Sequence, residues 1–161
     1  MSTNEGFTCP ACRKQLQTVT ICDTELEACT NGCGGIWFDA AELFRLHRPT
    51  DGAPDPMLEK LLALSSPASQ ATRGKLSCIK CGTPMKTHEY RENSGIFVDE
   101  CYACGGIWLD GGELKAIREN PAVLQSNQER AQMERDFAKK VQDEKIRLAE
   151  EAKKRASRRR I

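Results

Sequence analysis

The stretch CGGIWFDAAEL, Cys33 to Leu43, returns as CGGIWLDGGEL, Cys104 to Leu114, with eight of eleven positions identical at an offset of 71. A repeat of this kind fixes the plan of a chain before any single element is assigned. Working upstream from each copy, Cys9-Pro-Ala-Cys12 pairs with Cys78-Ile-Lys-Cys81, and Cys29 pairs with Cys101. Each copy therefore holds one cysteine pair, a gap, a second pair, and the Gly-Gly-Ile-Trp-x-Asp segment.

The gaps, 16 residues in the first copy and 19 in the second, suit a two-stranded hairpin. Leu16 to Ile21 and Met85 to Tyr90 are expected first strands, and Thr24 to Ala28 and Ile96 to Glu100 second strands, with turns at Asp23 and at Asn93-Ser94-Gly95. Beyond the second pair, Asp39 with Glu42 and Asp110 with Glu113 predict an N-cap and a capping box opening a short helix. Leu43, Phe44 and Leu46, or Leu114 and Ile117, would face back onto the ribbon.

The whole chain has 161 residues, 39% of them apolar and 6% aromatic, which is thin for one continuous core. Nine cysteines are far more than a reduced chain carries by chance. The N-terminus shows no basic region followed by an apolar stretch, and the longest aliphatic run is Leu61 to Leu64. No export or membrane span is expected, so the reading is cytoplasmic, where thiols persist and cysteine pairs serve as metal ligands.

Two cysteine knuckles supply opposite edges of a tetrahedron with sulfur at about 2.3 Å from zinc; both are C-x-x-C in the second copy, and in the first Cys29-Thr-Asn-Gly-Cys33 has one extra residue, still within the C-x(2–4)-C range. The predicted ligands are Cys9, Cys12, Cys29 and Cys33 for one ion, and Cys78, Cys81, Cys101 and Cys104 for a second; zinc is preferred to iron in an all-sulfur cage. Four sulfurs close the shell and leave no position for water, so no enzyme is expected. Cys22 has no counterpart in the second copy and reads as a spare thiol; the sharper alternative is a thiol/zinc redox switch. His47 and His88 stand out of register and read as surface groups. Trp37 and Trp108 read as core beside the sulfurs rather than as stacking platforms.

Residues 48–75, with four prolines, read as a linker in which Asp55-Pro56 opens a short helix that docks on a ribbon or on the C-terminal helix. Asn120-Pro121 opens a second helix, and no glycine or proline interrupts it to Arg160. Met133, Phe137, Val141, Leu148 and Ala152 form a narrow stripe, too weak for a strong coiled coil but suited to weak self-association or docking. The expected organisation is a first ribbon at 7–47, a linker with a short helix at 48–75, a second ribbon at 76–119, and a charged helix at 121–160.

The repeated pattern resembles the transcription-factor-IIB-type zinc-ribbon family, carried by Cys78, Cys81, Cys101, Cys104, Gly105, Gly106, Trp108, Asp110, Gly112, Glu113 and Leu114. In the first copy it is carried by Cys9, Cys12, Cys29, Cys33, Gly34, Gly35, Trp37, Asp39, Glu42 and Leu43. The resemblance implies zinc ribbons and a transcription-linked role. With the spacing, the expected fold is a small metal-stabilised α+β protein: two tandem zinc ribbons, each a β-hairpin plus a short helix, joined by a linker and followed by a long C-terminal α-helix.

Charge is segregated although the whole chain is only +1. Residues 1–121 carry 12 basic and 16 acidic side chains, and residues 122–161 carry 12 and 7. Each four-thiolate zinc site adds two further negative charges to the ribbon half, which phosphate backbones should repel. Any contact with phosphate or an acidic partner is expected from Lys153, Lys154, Arg155, Arg158, Arg159 and Arg160. The preferred function is a non-enzymatic adaptor for a protein partner. The alternative is a transcription-associated nucleic-acid binder using the basic helix.

Overall fold

The computed structural model describes residues 6–46, 55–64 and 73–158; His47, Arg159 and Arg160 lie outside them. Residues up to Leu124 form one compact unit, and Gln125 onward a second. In the first unit the hairpins form as the turn chemistry predicts: β1 (Gln17–Ile21) pairs with β2 (Thr24–Ala28), and β4 (Lys86–Glu89) with β5 (Phe97–Glu100). Cys22 and Asp23 both take positive φ, the two-residue turn whose twist matches an antiparallel pair.

The Gly-Gly-Ile-Trp segment, which sequence reading left without an element, forms a third strand in each copy: β3 (Ile36–Phe38) and β6 (Ile107–Leu109). These pair antiparallel with each other, so the two ribbons are not separate beads. They make one six-stranded sheet in the order β1-β2-β3-β6-β5-β4. Cross-strand partners share a face, and one row runs across all six strands: Thr18, Glu27, Trp37, Trp108, Asp99 and Thr87. The row reads the same from either end by residue class, as a two-fold relation between the copies requires.

The opposite face carries Val19, Leu26, Ala28, Ile36, Phe38, Val98 and Leu109. Both copies contribute to this apolar layer, and the helices cover it. Leu43 and Leu46 of α1 (Glu42–Leu46) are buried there, as are Leu58 and Leu61 of α2 (Pro56–Ala63) and Leu114 and Ile117 of α3 (Glu113–Glu119). Phe44, expected to face the ribbon, is instead 37% exposed, because a five-residue helix can turn only one side inward.

The helix inside the linker docks, and its partner is the first ribbon. Asp55 accepts from the Met57 and Leu58 N–H groups and, through its other oxygen, from the Cys22 N–H at 3.0 Å. Asn120 repeats the device at the start of α4 (Pro121–Arg158). Its Oδ1 accepts from Ala122 and Val123 N–H, and its Nδ2 donates to the Ser94 carbonyl in the other hairpin turn. The repeat thus extends through an Asx-Pro helix start in both copies, and Val123 is buried as Leu58 is.

The predicted caps at Asp39 and Asp110 form by halves. Glu42 and Glu113 reach back to the Asp39 and Asp110 N–H groups at 2.7 and 2.8 Å. The Asp side chains do not cap; they accept from the Trp37 and Trp108 Nε1 groups, both at 3.1 Å, and the helices begin three residues later. The residue before each helix is in the left-handed region: Gly112 at φ 90°, and Ala41 at φ 73°. A Cβ there costs roughly 1–2 kcal/mol, part of which glycine returns as unfolded-chain entropy. Because Ala41 is exposed, Ala41→Gly is expected to raise stability by about 1 kcal/mol, read as a higher urea midpoint at constant slope.

In the second unit α4 continues to Arg158, and Met133, Phe137, Val141 and Leu148 are exposed along it.

Candidate metal centre

The eight cysteines come together as two groups of four, Cys9, Cys12, Cys29 and Cys33 in one and Cys78, Cys81, Cys101 and Cys104 in the other, with all sulfurs in a group within 4.8 Å. The Sγ–Sγ distances are 3.6 Å for Cys9–Cys33 and 3.4 Å for Cys12–Cys29, against 3.7 Å for Cys78–Cys104 and 3.4 Å for Cys81–Cys101. A tetrahedron with bonds of about 2.3 Å has edges of about 3.8 Å, so the cages fit a zinc ion. A disulfide needs about 2.05 Å, and all nine cysteines are free thiols. Cys22 belongs to neither group and lies at the far end of β1 from the knuckles.

Backbone geometry tunes the sulfurs. The Cys12 N–H donates to Cys9 Sγ and the Lys80 N–H to Cys78 Sγ, both at 3.4 Å. The Cys33 side chain, backed by the Cys12 and Ala11 N–H groups, draws the Cys9 thiol down to about 5 against the effect of burial, and the shared proton pushes Cys33 up. Burial pushes Cys29 up to about 11 and Cys78 up to about 12, while the Thr83 side chain and N–H lower Cys81 to about 6. In the first copy's second knuckle, Cys29-Thr-Asn-Gly-Cys33, which is one residue longer than Cys101-Tyr-Ala-Cys104, a Cβ on Gly32 would stand 2.6 Å from Cys29 Sγ and 2.9 Å from Cys12 Sγ. Only glycine lets the extra residue pass.

The cages differ in access. Cys81 and Cys104 are exposed, whereas no ligand of the first cage is. Limited alkylation of the zinc-loaded chain is therefore expected to modify Cys22 first, then Cys104 and Cys81, with Cys9 and Cys29 last. Peptide mapping by mass spectrometry reads the order, and early modification of the first cage would contradict it.

Trp37 and Trp108 are 1% and 0% exposed and pack with the cysteines. Each ring also lies on the other copy: a Cβ on Gly35 would fall 2.1 Å from Trp108 Cζ2, and one on Gly106 2.0 Å from Trp37 Cζ2. The second glycine of each motif is thus the seat for the opposite tryptophan. Neither indole is available to stack on a base.

The carboxylates following the tryptophans are neutralised from different sources. Asp39 meets Lys80 of the second copy at 2.5 Å, an exposed pair. Asp110 and Asp99 both pair with Arg73, whose Nε lies 2.8 Å from Asp110 Oδ2. All three side chains are nearly inaccessible, and burial holds the nearby Glu113 carboxyl up at about 8. Two aspartates thus face one guanidinium. Spacing gave no sign of Arg73, which lies outside the motif in the stretch read as a linker. Arg73→Ala would leave both aspartates buried without their cation, and a loss of about 3–5 kcal/mol is expected in chemical denaturation.

His88 Nε2 lies 2.6 Å from Glu100 Oε2, so it is no metal ligand. Lys153, Lys154, Arg155 and Arg158 are exposed on α4.

The model of the family described as transcription factor zinc-finger matches residues 8–49 and again 77–120, together more than half of the chain. The chain belongs to this zinc-ribbon family. No curated protein and no solved structure matches it. Among the described residues, no helix is long and apolar enough to cross a membrane.

Proposed function

We propose that the chain is a non-enzymatic adaptor that recognises a protein partner, with zinc shaping the recognising surface and performing no reaction. The observation that carries this reading is the inward placement of its special chemistry. Both indoles are buried, and both metals would sit in closed four-sulfur shells with no position for a substrate. What remains outside is a sheet unit whose residues 1–121 carry a net charge of −4 before thiolate charge is counted, and a C-terminal segment, residues 122–161, that carries +5. Two modules of opposite sign favour a partner gripped at two points, where linkage adds avidity without a large interface on either.

A transcription-associated nucleic-acid role is the second reading, favoured by the exposed cations of the last helical turns. The ribbon unit opposes it, since each loaded cage adds charge that phosphate repels. A thiol/zinc switch triggered at Cys22 draws no support from a thiol that sits apart from both cages. Native mass spectrometry of the chain isolated from cell extract tests the first reading. Two metals per chain with a stoichiometric protein supports it; nucleic acid in place of protein, bound with a steep salt dependence, overturns it.

A further inference from the structure

The row of side chains crossing the sheet has two ends that match by repeat and differ in what they hold. At the second copy's end, Thr87 Oγ1 donates to Asp99 Oδ1 at 2.6 Å, and the other Asp99 oxygen takes the Arg73 guanidinium. At the first copy's end, Thr18 Oγ1 donates to Glu27 Oε2 at 3.1 Å. Among the described residues no lysine or arginine pairs with Glu27. A cavity of about 640 Å³ opens there instead, lined by Phe7, Leu16, Gln17, Thr18 and Glu27 among others. Those five stand where the second copy has Leu76, Met85, Lys86, Thr87 and Asp99, the last of which pairs with Arg73.

We infer that this cavity receives an arginine side chain presented by a partner protein. The second copy is the template, because Thr87 and Asp99 at the matching sheet position already hold a guanidinium, shared there with Asp110. Phe7, only partly buried, offers apolar surface for the three-carbon stem, and Glu27, pre-set by Thr18, offers the anion. Lys80 occupies Asp39, which leaves Glu27 as the carboxylate for one incoming cation. The acidic character of the ribbon unit draws a basic segment toward it. The inference deepens the adaptor reading and rests on it.

The probe is an acetylated, amidated Gly-Arg-Gly peptide titrated into the zinc-loaded full chain and followed by amide shifts. Saturable shifts at Gly6, Thr18 and Glu27 are expected, with citrulline in place of arginine binding roughly tenfold more weakly or not at all. Glu27→Gln should weaken binding by a similar factor with both metals retained. Glu27→Asp, which installs the second copy's residue, should keep it. Shifts elsewhere, equal binding of citrulline, or full binding by E27Q would overturn the assignment. A protein partner captured equally by E27Q and the parent overturns the cavity alone; nucleic acid as the sole ligand overturns the adaptor reading itself.

Discussion

A chain carrying Gly35→Ala together with Gly106→Ala is expected to lose about 6 kcal/mol of stability, near the top of the usual range for overpacking at each of two sites. The added methyls would stand 2.1 and 2.0 Å from the tryptophan rings, far inside van der Waals contact. Neither ring can step aside, because each is fully buried and its Nε1 is tied to an aspartate at 3.1 Å. Neither glycine has positive φ, so the penalty is one of space and not of backbone conformation. The two sites meet across the β3–β6 pairing, so the double variant is compared with each single variant to read their coupling. Urea denaturation with zinc in excess measures the loss, and contacts between Trp37 and Trp108 across the sheet report whether the copies have parted. In Gly35→Ala alone, Trp108→Leu should recover part of the loss by removing the clashing ring. A midpoint unchanged in the double alanine variant would mean that the tryptophans are not seated on these glycines.

The same glycines show where sequence reading stopped. Cysteine spacing specified both cages, since a tetrahedral ion accepts few separations between knuckles, and the turn residues placed both hairpins. The Asx-Pro pairs likewise marked α2 and α4, because a cap and an N1 proline act through local geometry alone. The Gly-Gly-Ile-Trp segment, however, is three residues of strand whose partner lies 71 positions away, and nothing local says that a strand will pair with its own repeat. Asp39 and Asp110 misled for a related reason. A carboxylate three residues before a glutamate reads as a cap, but a nearby indole N–H and a distant cation offered it stronger partners. Arg73 belongs to this class as well, since its role depends on a pocket assembled from Thr87, Asp99 and Asp110, which only the folded sheet brings together.

Removing one metal is expected to unfold both ribbons, a stronger outcome than the separate ribbons read from the sequence would give. Cys81→Ser with Cys104→Ser deletes half of the second cage and with it the site for one ion. Structural zinc supplies an apparent 10–16 kcal/mol or so to small folds of this kind, while whole domains are stable by only about 5–15 kcal/mol. The loss thus matches or exceeds all the stability the unit has. It cannot stay within the second copy, because β6 is the sheet neighbour of β3, Trp108 is packed on Gly35, and Lys80 neutralises Asp39. The apolar layer is common property too: Val98, Leu109, Leu114 and Ile117 lie in one cluster with Val19, Leu26 and Leu43. Loss of amide dispersion throughout 6–124, including strands β1 and β2, is therefore expected, with zinc affinity at the intact first cage falling sharply because binding there must fold both copies. Retention of one tightly held zinc with native shifts for β1 to β3 would sink this idea. It would show that the first ribbon stands alone and that the shared sheet adds contact without cooperativity.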